Sequence, residues 1–100
     1  MTLNIISSSE QIIGKLIGRL DTDAASDVES QWNALIESAN RHIVLDCTEL
    51  EYISSSGLRL FLTLQKATMA KGGQLTLREI NPSVKQVFNL TGFSSIFAFE

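Results

Sequence analysis

A continuous apolar run, Ile43-Val44-Leu45, followed by a long helical segment limits the possible folds of this chain more than any other feature of its sequence. A run that does not alternate with polar residues is typical of a strand covered on both faces inside a sheet. The helical segment extends from about Gly57 to Ala70 and stops at Gly72-Gly73. A buried strand followed by a helix predicts an α/β fold.

The remaining segments alternate between strand and helix patterns. Leu3 and Ile5 predict a first strand, and residues 12–20 predict a second, joined at the turn Ser7-Ser8-Ser9. A single amphipathic helix is predicted from the capping residues Asp21-Thr22-Asp23 to about Asn40. Residues 48–52 are interpreted as a short polar connection.

The C-terminal part continues the alternation. Leu75 and Leu77 predict a strand, and Asn81-Pro82 predicts the start of a helix that ends at Gly92. Residues 96–99 are interpreted as an edge strand or an interface segment. The resulting order, β-β-α-β-α-β-α-β, predicts a mixed sheet with helices.

The helix that follows the serines has two apolar stripes. Leu58, Phe61, Leu62 and Met69 form the first, whereas Leu60, Leu64 and Ala67 form the second. One sheet face covers only one stripe, so a neighbouring helix or a partner must cover the other. We favour a neighbouring helix.

Composition and charge narrow the function. The chain has 100 residues, 44% hydrophobic and 19% charged, which predicts one domain over residues 1–100. The net charge of −3 and the scattered basic residues argue against nucleic acid as a partner. No signal peptide or apolar run of about 20 residues is present, so we expect a cytoplasmic protein without direct membrane insertion. Cys47, the single cysteine, is interpreted as a buried thiol.

Two loops follow the carboxyl ends of predicted strands, where functional loops gather in open α/β sheets: Asp21 to Asp23 and Ser54 to Gly57. One serine hydroxyl is enough to cap the next helix. Another could accept a phosphoryl group, which free N–H groups and the helix dipole tolerate at a helix N-terminus. From composition alone, capping is the better interpretation.

Catalysis and metal binding have little support. His42, the only histidine, precedes the apolar strand, whereas the serines follow it, so a Ser-His pair is not expected. Asp21, Asp23 and Asp46 lack metal-ligand spacing, and capping accounts for the first two. We therefore expect no catalytic residues, no metal and no cofactor.

Several segments resemble the bacterial anti-sigma factor antagonists in order and spacing, and they cover nearly the whole chain. They are Gly18-Arg19-Leu20-Asp21 followed by Ala24-Ala25, Arg41-His42-Ile43-Val44-Leu45-Asp46, Tyr52-Ile53-Ser54-Ser55-Ser56-Gly57-Leu58, Gly72-Gly73-Gln74-Leu75, and Asn81-Pro82-Ser83-Val84-Lys85 through Leu90-Thr91-Gly92. The resemblance implies the STAS fold, a mixed sheet of four to five strands with helices packed mainly on one face.

The resemblance also implies a function, which is partner switching in transcription regulation by a protein that is not an enzyme. The unphosphorylated antagonist binds an anti-sigma factor that is also a serine kinase, phosphorylation by this kinase ends the binding, and a phosphatase restores it. We expect a monomer or a weak dimer. The alternatives are a STAS scaffold subunit of a lipid-transport ATPase complex or stress-signalling assembly, and a small hydrolase that would lack a base.

The family motif usually reads Asp-Ser-[Ser/Thr]-Gly-Leu, and its phosphoacceptor corresponds to Ser55. This chain has Ser54 in place of the aspartate, which leaves Ser54 and Ser56 as alternative acceptors. The resemblance places the partner-binding surface at Asp21, Thr22, Ser54, Ser56, Gly57, Leu58 and Arg59.

Overall fold

The computed structural model describes all residues from 1 to 100 and contains one five-stranded mixed sheet. The strands are β1 (Thr2–Ser7), β2 (Gln11–Leu20), β3 (His42–Ile53), β4 (Gln74–Arg78) and β5 (Ala98–Phe99). The helices are α1 (Thr22–Asp27), α2 (Glu29–Glu37), α3 (Ser55–Lys71) and α4 (Pro82–Leu90). The strands lie side by side in sequence order, with β1 antiparallel to β2 and the other neighbours parallel.

The helices cover one face of the sheet. Strand side chains on that face share a single core with buried residues of all four helices. These strand residues are Leu3, Ile12, Leu16, Leu20, Ile43, Leu45, Cys47, Leu50, Ile53, Leu75 and Leu77. The opposite face carries polar contacts, such as the ion pair of Lys15 with Glu49 (2.9 Å) and a contact of 3.0 Å between His42 Nε2 and Thr76 Oγ1. The predicted mixed sheet with helices mainly on one face is confirmed.

The single helix predicted after Asp21 is wrong, because the chain turns at Val28. This residue has φ −91° and ψ 1°, so it interrupts the helix, and its side chain is buried. The turn lets two short helices direct apolar residues into the same core. The buried residues are Ala24 and Ala25 on α1, and Trp32 and Leu35 on α2.

The predicted polar connection at residues 48–52 is also wrong, because β3 continues through it to Ile53. This part of β3 pairs with β2 alone, since pairing with β4 stops at Asp46 and Arg78. Leu50 is fully buried, whereas Thr48 and Glu51 point to solvent. The polar residues therefore belong to an exposed stretch of β3. The pairing of this stretch with β2 contains two register irregularities.

Helix α3 packs against both the sheet and α2. Leu64 is buried and Leu60 is half-buried, and the Trp32 indole N–H on α2 donates to the Leu60 carbonyl (2.7 Å). Leu60 of the second stripe therefore lies beside α2, as predicted for a neighbouring helix. Met69, predicted in the first stripe, is 75% exposed beside the short strand β5, because no further element covers it; Thr68 is buried instead.

The ends of the later helices follow local capping rules. The Asn81 side chain caps α4 by accepting from the Val84 N–H (2.9 Å). Gly92 has a left-handed φ of 79°, and the Phe93 N–H donates to the Phe88 carbonyl (2.9 Å), as in a Schellman ending. No helix combines the length and hydropathy that spanning a bilayer requires.

Candidate functional site

The two predicted loops meet at one corner of the molecule. Strands β2 and β3 end side by side, with Leu20 opposite Ile53, and the Ser54 N–H donates to the Leu20 carbonyl (2.9 Å). Asp21 therefore leaves β2 next to the point where Ser54 leaves β3. The structure brings together the two loops that the sequence placed at strand ends.

The three serines of the loop have different environments. Ser54 is the N-cap of α3, where its hydroxyl accepts from the Gly57 N–H (3.1 Å), and it is only 9% exposed. Ser55 begins the helix and is exposed. Ser56 is half-buried and faces α1 across a groove. Only Ser55 is therefore both exposed and free of a capping role.

Asp21 and Thr22 form the start of α1 beside the serines. One carboxylate oxygen of Asp21 accepts from the Ala24 N–H (2.9 Å), so Asp21 is the N-cap of α1. Thr22 and Asp23 follow in the first turn and are exposed. The N-termini of α1 and α3 thus lie at the same corner, and acidic side chains stand at one of them.

Gly57 and Leu58 lie beneath this surface. Leu58 is 4% exposed and belongs to the core, so its side chain anchors α3 and does not reach the surface. A Cβ added to Gly57 would lie 2.8 Å from Leu20 Cγ, which means that only glycine permits this close approach of α3 to β2. These two predicted residues position the surface without forming it.

Arg59 is exposed and lies beside a groove between α3 and the α1–α2 pair. The groove has a volume of about 440 Å³ and is open to solvent, and the buried Trp32 lies at its base. Arg59 forms no ion pair in the structure. The predicted residues Thr22, Ser56 and Arg59 thus share this groove.

Sequence reasoning missed several residues of this surface. Ser26, Glu29 and Asn33 line the groove on the α1–α2 side. Their spacing, with Thr22, is four, three and four residues, which is a helical pattern of polar side chains. Tyr52 was missed as well: it is 40% exposed beside the loop, and the Arg19 guanidinium lies 4.3 Å from its ring centroid.

The only histidine and the only cysteine of the chain lie away from the serine loop. His42 begins β3, whereas Ser55 follows its last residue, so the only imidazole is at the opposite end of the strand. Burial, assisted by the nearby Asp46 carboxylate, raises the pKa of the Cys47 thiol to about 12. Cys47 is therefore a protonated core residue, as the sequence indicated.

Comparison with known proteins identifies the family. The family model described as the STAS domain matches residues 4–100. The chain belongs to the STAS domain family. This STAS chain is 36% identical over 97 residues to BtrV of Bordetella bronchiseptica, which is named as a candidate anti-sigma factor antagonist. The alignment covers 97% of this chain and 84% of BtrV.

Two further comparisons agree with this membership. The STAS chain is 31% identical over 86 residues to the anti-sigma F factor antagonist of Paenibacillus polymyxa, covering 85% of this chain and 74% of that one. The structure of the anti-sigma factor antagonist SpoIIAA in its unphosphorylated form superimposes with a TM-score of 0.75 at 20% identity, covering 99% of this chain and 87% of SpoIIAA. The fold is therefore that of the STAS domain.

Proposed function

We propose that this STAS protein is an anti-sigma factor antagonist that regulates transcription in the cytoplasm by partner switching. In the unphosphorylated form it binds an anti-sigma factor that is also a serine kinase. Phosphorylation of Ser55 ends this binding, and a phosphatase restores it. The names of the relatives with 36% and 31% identity support the assignment to this class.

The observation that carries the proposal is the difference between the three serines. The Ser54 hydroxyl is nearly buried and accepts a hydrogen bond from the first turn of α3, so a kinase cannot reach it unless this turn opens. Ser56 is half-buried against the groove. Ser55 is exposed in the first turn of a 17-residue helix, where a kinase can reach its hydroxyl.

A phosphoryl group on Ser55 would alter the surface and leave the fold intact. Free N–H groups and the positive end of the helix dipole stabilise negative charge in the first turn of α3. The group adds about two negative charges next to the exposed carboxylates of Asp21 and Asp23. A partner surface that matches the unmodified corner would then meet repulsion and a bulky hydrated group.

In this proposal the protein acts by binding its partner and catalyses no reaction of its own. The serine loop has no imidazole beside it, since His42 is at the far end of β3. The groove beside Arg59 is open to solvent, so side chains of a partner protein can enter it. The binding surface comprises Asp21, Thr22, Ser55, Ser56 and Arg59, with Ser54, Gly57 and Leu58 holding it in place.

The proposal is tested by affinity capture with four baits: wild type, Ser55→Ala, Ser55→Asp and Ser83→Asp. Ser83 is an exposed serine in the first turn of α4, so its variant places the same charge at another helix N-terminus. Mass spectrometry should identify a kinase-fold protein bound to wild type, Ser55→Ala and Ser83→Asp. Binding to Ser55→Asp should fall at least tenfold, which corresponds to about 1.4 kcal/mol.

Two results would contradict the proposal. Retention of the kinase by Ser55→Asp would mean that charge at this position does not control binding. Capture of an ATPase or permease equally by all four baits would indicate a scaffold subunit, in which the serines serve mainly as a cap and loop.

A further inference from the structure

Strand β1 forms an edge of the sheet that nothing in the chain pairs with. It lies beside β2 alone, and its six residues pair one to one with Ile17 to Ile12 without a bulge. Ile5 is 37% exposed and Ile6 is 63% exposed. A straight edge strand with exposed apolar side chains is a template for pairing with another strand.

The hydrogen bonds of the hairpin determine which backbone groups of β1 point away from β2. The Ser8 N–H donates to the Gln11 carbonyl (2.9 Å), so the alternation of the antiparallel ladder starts from this pair. Counting back along the strand, Leu3, Ile5 and Ser7 direct their N–H and C=O groups outward.

A contact with α2 supports this orientation. Gln31 Nε2 donates to the Leu3 carbonyl (2.8 Å) from outside the β1–β2 ladder. A carbonyl oxygen has two lone pairs, so Leu3 can accept one more hydrogen bond. Ile5, two residues further along, has outward groups with no protein partner among the side-chain and loop hydrogen bonds of the structure.

The two edges of the sheet differ in their protection against such pairing. The other edge strand, β5, has two residues and is flanked by charges. Lys85 lies 3.9 Å from the Phe99 ring centroid, and Arg78 pairs with Glu100 at 3.6 Å. Short length and flanking charge are the usual ways to block an edge. β1 contains no charged residue and no proline.

We propose that β1 is a self-association edge, through which two copies of this chain pair antiparallel about Ile5 into one continuous sheet. In this register the N–H and C=O groups of the two Ile5 residues bond to each other, and Leu3 of each copy bonds to Ser7 of the other. All outward groups of the strand are then satisfied. The two Ile5 side chains lie opposite each other and are removed from water.

A second copy fits this edge better than a charged partner does. The six residues of β1 are uncharged, so two copies meet without the like-charge repulsion that symmetric pairing would otherwise cause. An isologous contact needs one surface that matches itself, and the outward groups of Leu3 and Ser7 are symmetric about Ile5. The six residues of β1 include none of the serine corner, so this inference does not depend on the proposed function.

The test is analytical ultracentrifugation of the full chain from about 10 μM to about 1 mM, the range of weak dimers. The apparent mass of wild type should rise from 11.0 kDa towards twice that value. Ile5→Pro removes the outward N–H and leaves the ladder to β2 intact, so this variant should stay at the monomer mass. Ile6→Lys, which places a charge on the edge, should do the same.

Two controls separate edge pairing from other causes. Ile5→Val keeps the N–H and the β-branched side chain, and it should associate like wild type. Leu90→Lys changes a side chain on α4 that is 79% exposed, and it should also associate. A monomeric wild type throughout the range would overturn the proposal, as would association that persists in Ile6→Lys. Circular dichroism checks that each variant is folded. If Ile5→Pro does not fold, the apparent mass of Ile6→Lys decides the test.

Discussion

Ser54 takes the place of the aspartate that the family motif usually has before the phosphoacceptor, and its surroundings explain why the exchange is tolerated. Its hydroxyl accepts from the Gly57 N–H at 3.1 Å. Aspartate and serine are both strong N-cap residues because each offers a short side-chain oxygen to the first turn. The exchange therefore preserves the start of α3 and removes one negative charge beside Ser55.

Replacement of Ser54 by alanine should weaken the start of α3. Loss of an N-cap lowers the free energy of unfolding by about 1 kcal/mol, which corresponds to a fall in Tm of roughly 4–8 °C for a domain of this size. Ser54→Asp should unfold close to the wild-type temperature because it retains a cap. Thermal denaturation followed by circular dichroism measures both variants.

Ser55→Ala is the matched control for this prediction. Ser55 is exposed and makes no capping bond, so its substitution should change the free energy of unfolding by less than about 0.5 kcal/mol. Equal melting temperatures for Ser54→Ala and Ser55→Ala would contradict the capping role assigned to Ser54.

At the scale of elements, the site depends on how closely α3 approaches the ends of β2 and β3. A Cβ on Gly57 would lie 2.8 Å from Leu20 Cγ and 3.0 Å from Ile53 Cγ1. Both of these apolar residues are buried, so neither can move aside without disturbing the core. The glycine lets the first turn of α3 rest on the strand ends, which in turn places Ser55 beside Asp21.

Gly57→Ala should therefore destabilise the protein although alanine favours helices by about 1 kcal/mol. Overpacking a well-packed site costs about 1–3 kcal/mol, and we expect a net loss of about 1 kcal/mol in urea unfolding. The loss should shrink in a Leu20→Ala background, where space is available for the new methyl group. An equal loss in both backgrounds would show that contact with Leu20 is not the cause.

At the scale of the whole molecule, the core links global stability to pH through Cys47. The thiol is fully buried on the helix-covered face of β3, and burial raises its pKa from 9.0 to about 12. Between these values the unfolded chain releases the thiol proton while the folded chain keeps it. The folded state then binds more protons, so its stability falls as pH rises through this window.

The prediction is a pH-dependent difference between wild type and Cys47→Ala. Between pH 9.0 and about 12, the wild-type free energy of unfolding should fall relative to the variant, with a slope that approaches about 1.4 kcal/mol per pH unit inside this window. Urea unfolding of both proteins at several pH values measures this difference. Subtracting the free energy of unfolding of the variant from that of wild type cancels the contribution of lysine and tyrosine titration, which the two proteins share. A difference that does not change with pH would contradict the buried, protonated thiol.

Except for the break at Val28, the sequence by itself determined the order of strands and helices, the mixed sheet and most helix caps. These features depend on neighbours in the chain: apolar periodicity selects strand or helix, and a side chain such as Asn81 caps the helix that begins right after it. The same local reasoning placed Asp21 and the serines at strand ends, where the sheet brings them together.

Tertiary structure alone decided the features that depend on residues distant in sequence. Val28 ends α1 because two helices pack on α3 and the sheet, and residues 48–52 are strand because β2 pairs with them. Met69 is exposed because no element covers that end of α3. The distinction between the three serines has the same origin: their sequence is uniform, and only packing against β2 and α1 makes Ser54 a buried cap, Ser56 a groove residue and Ser55 exposed.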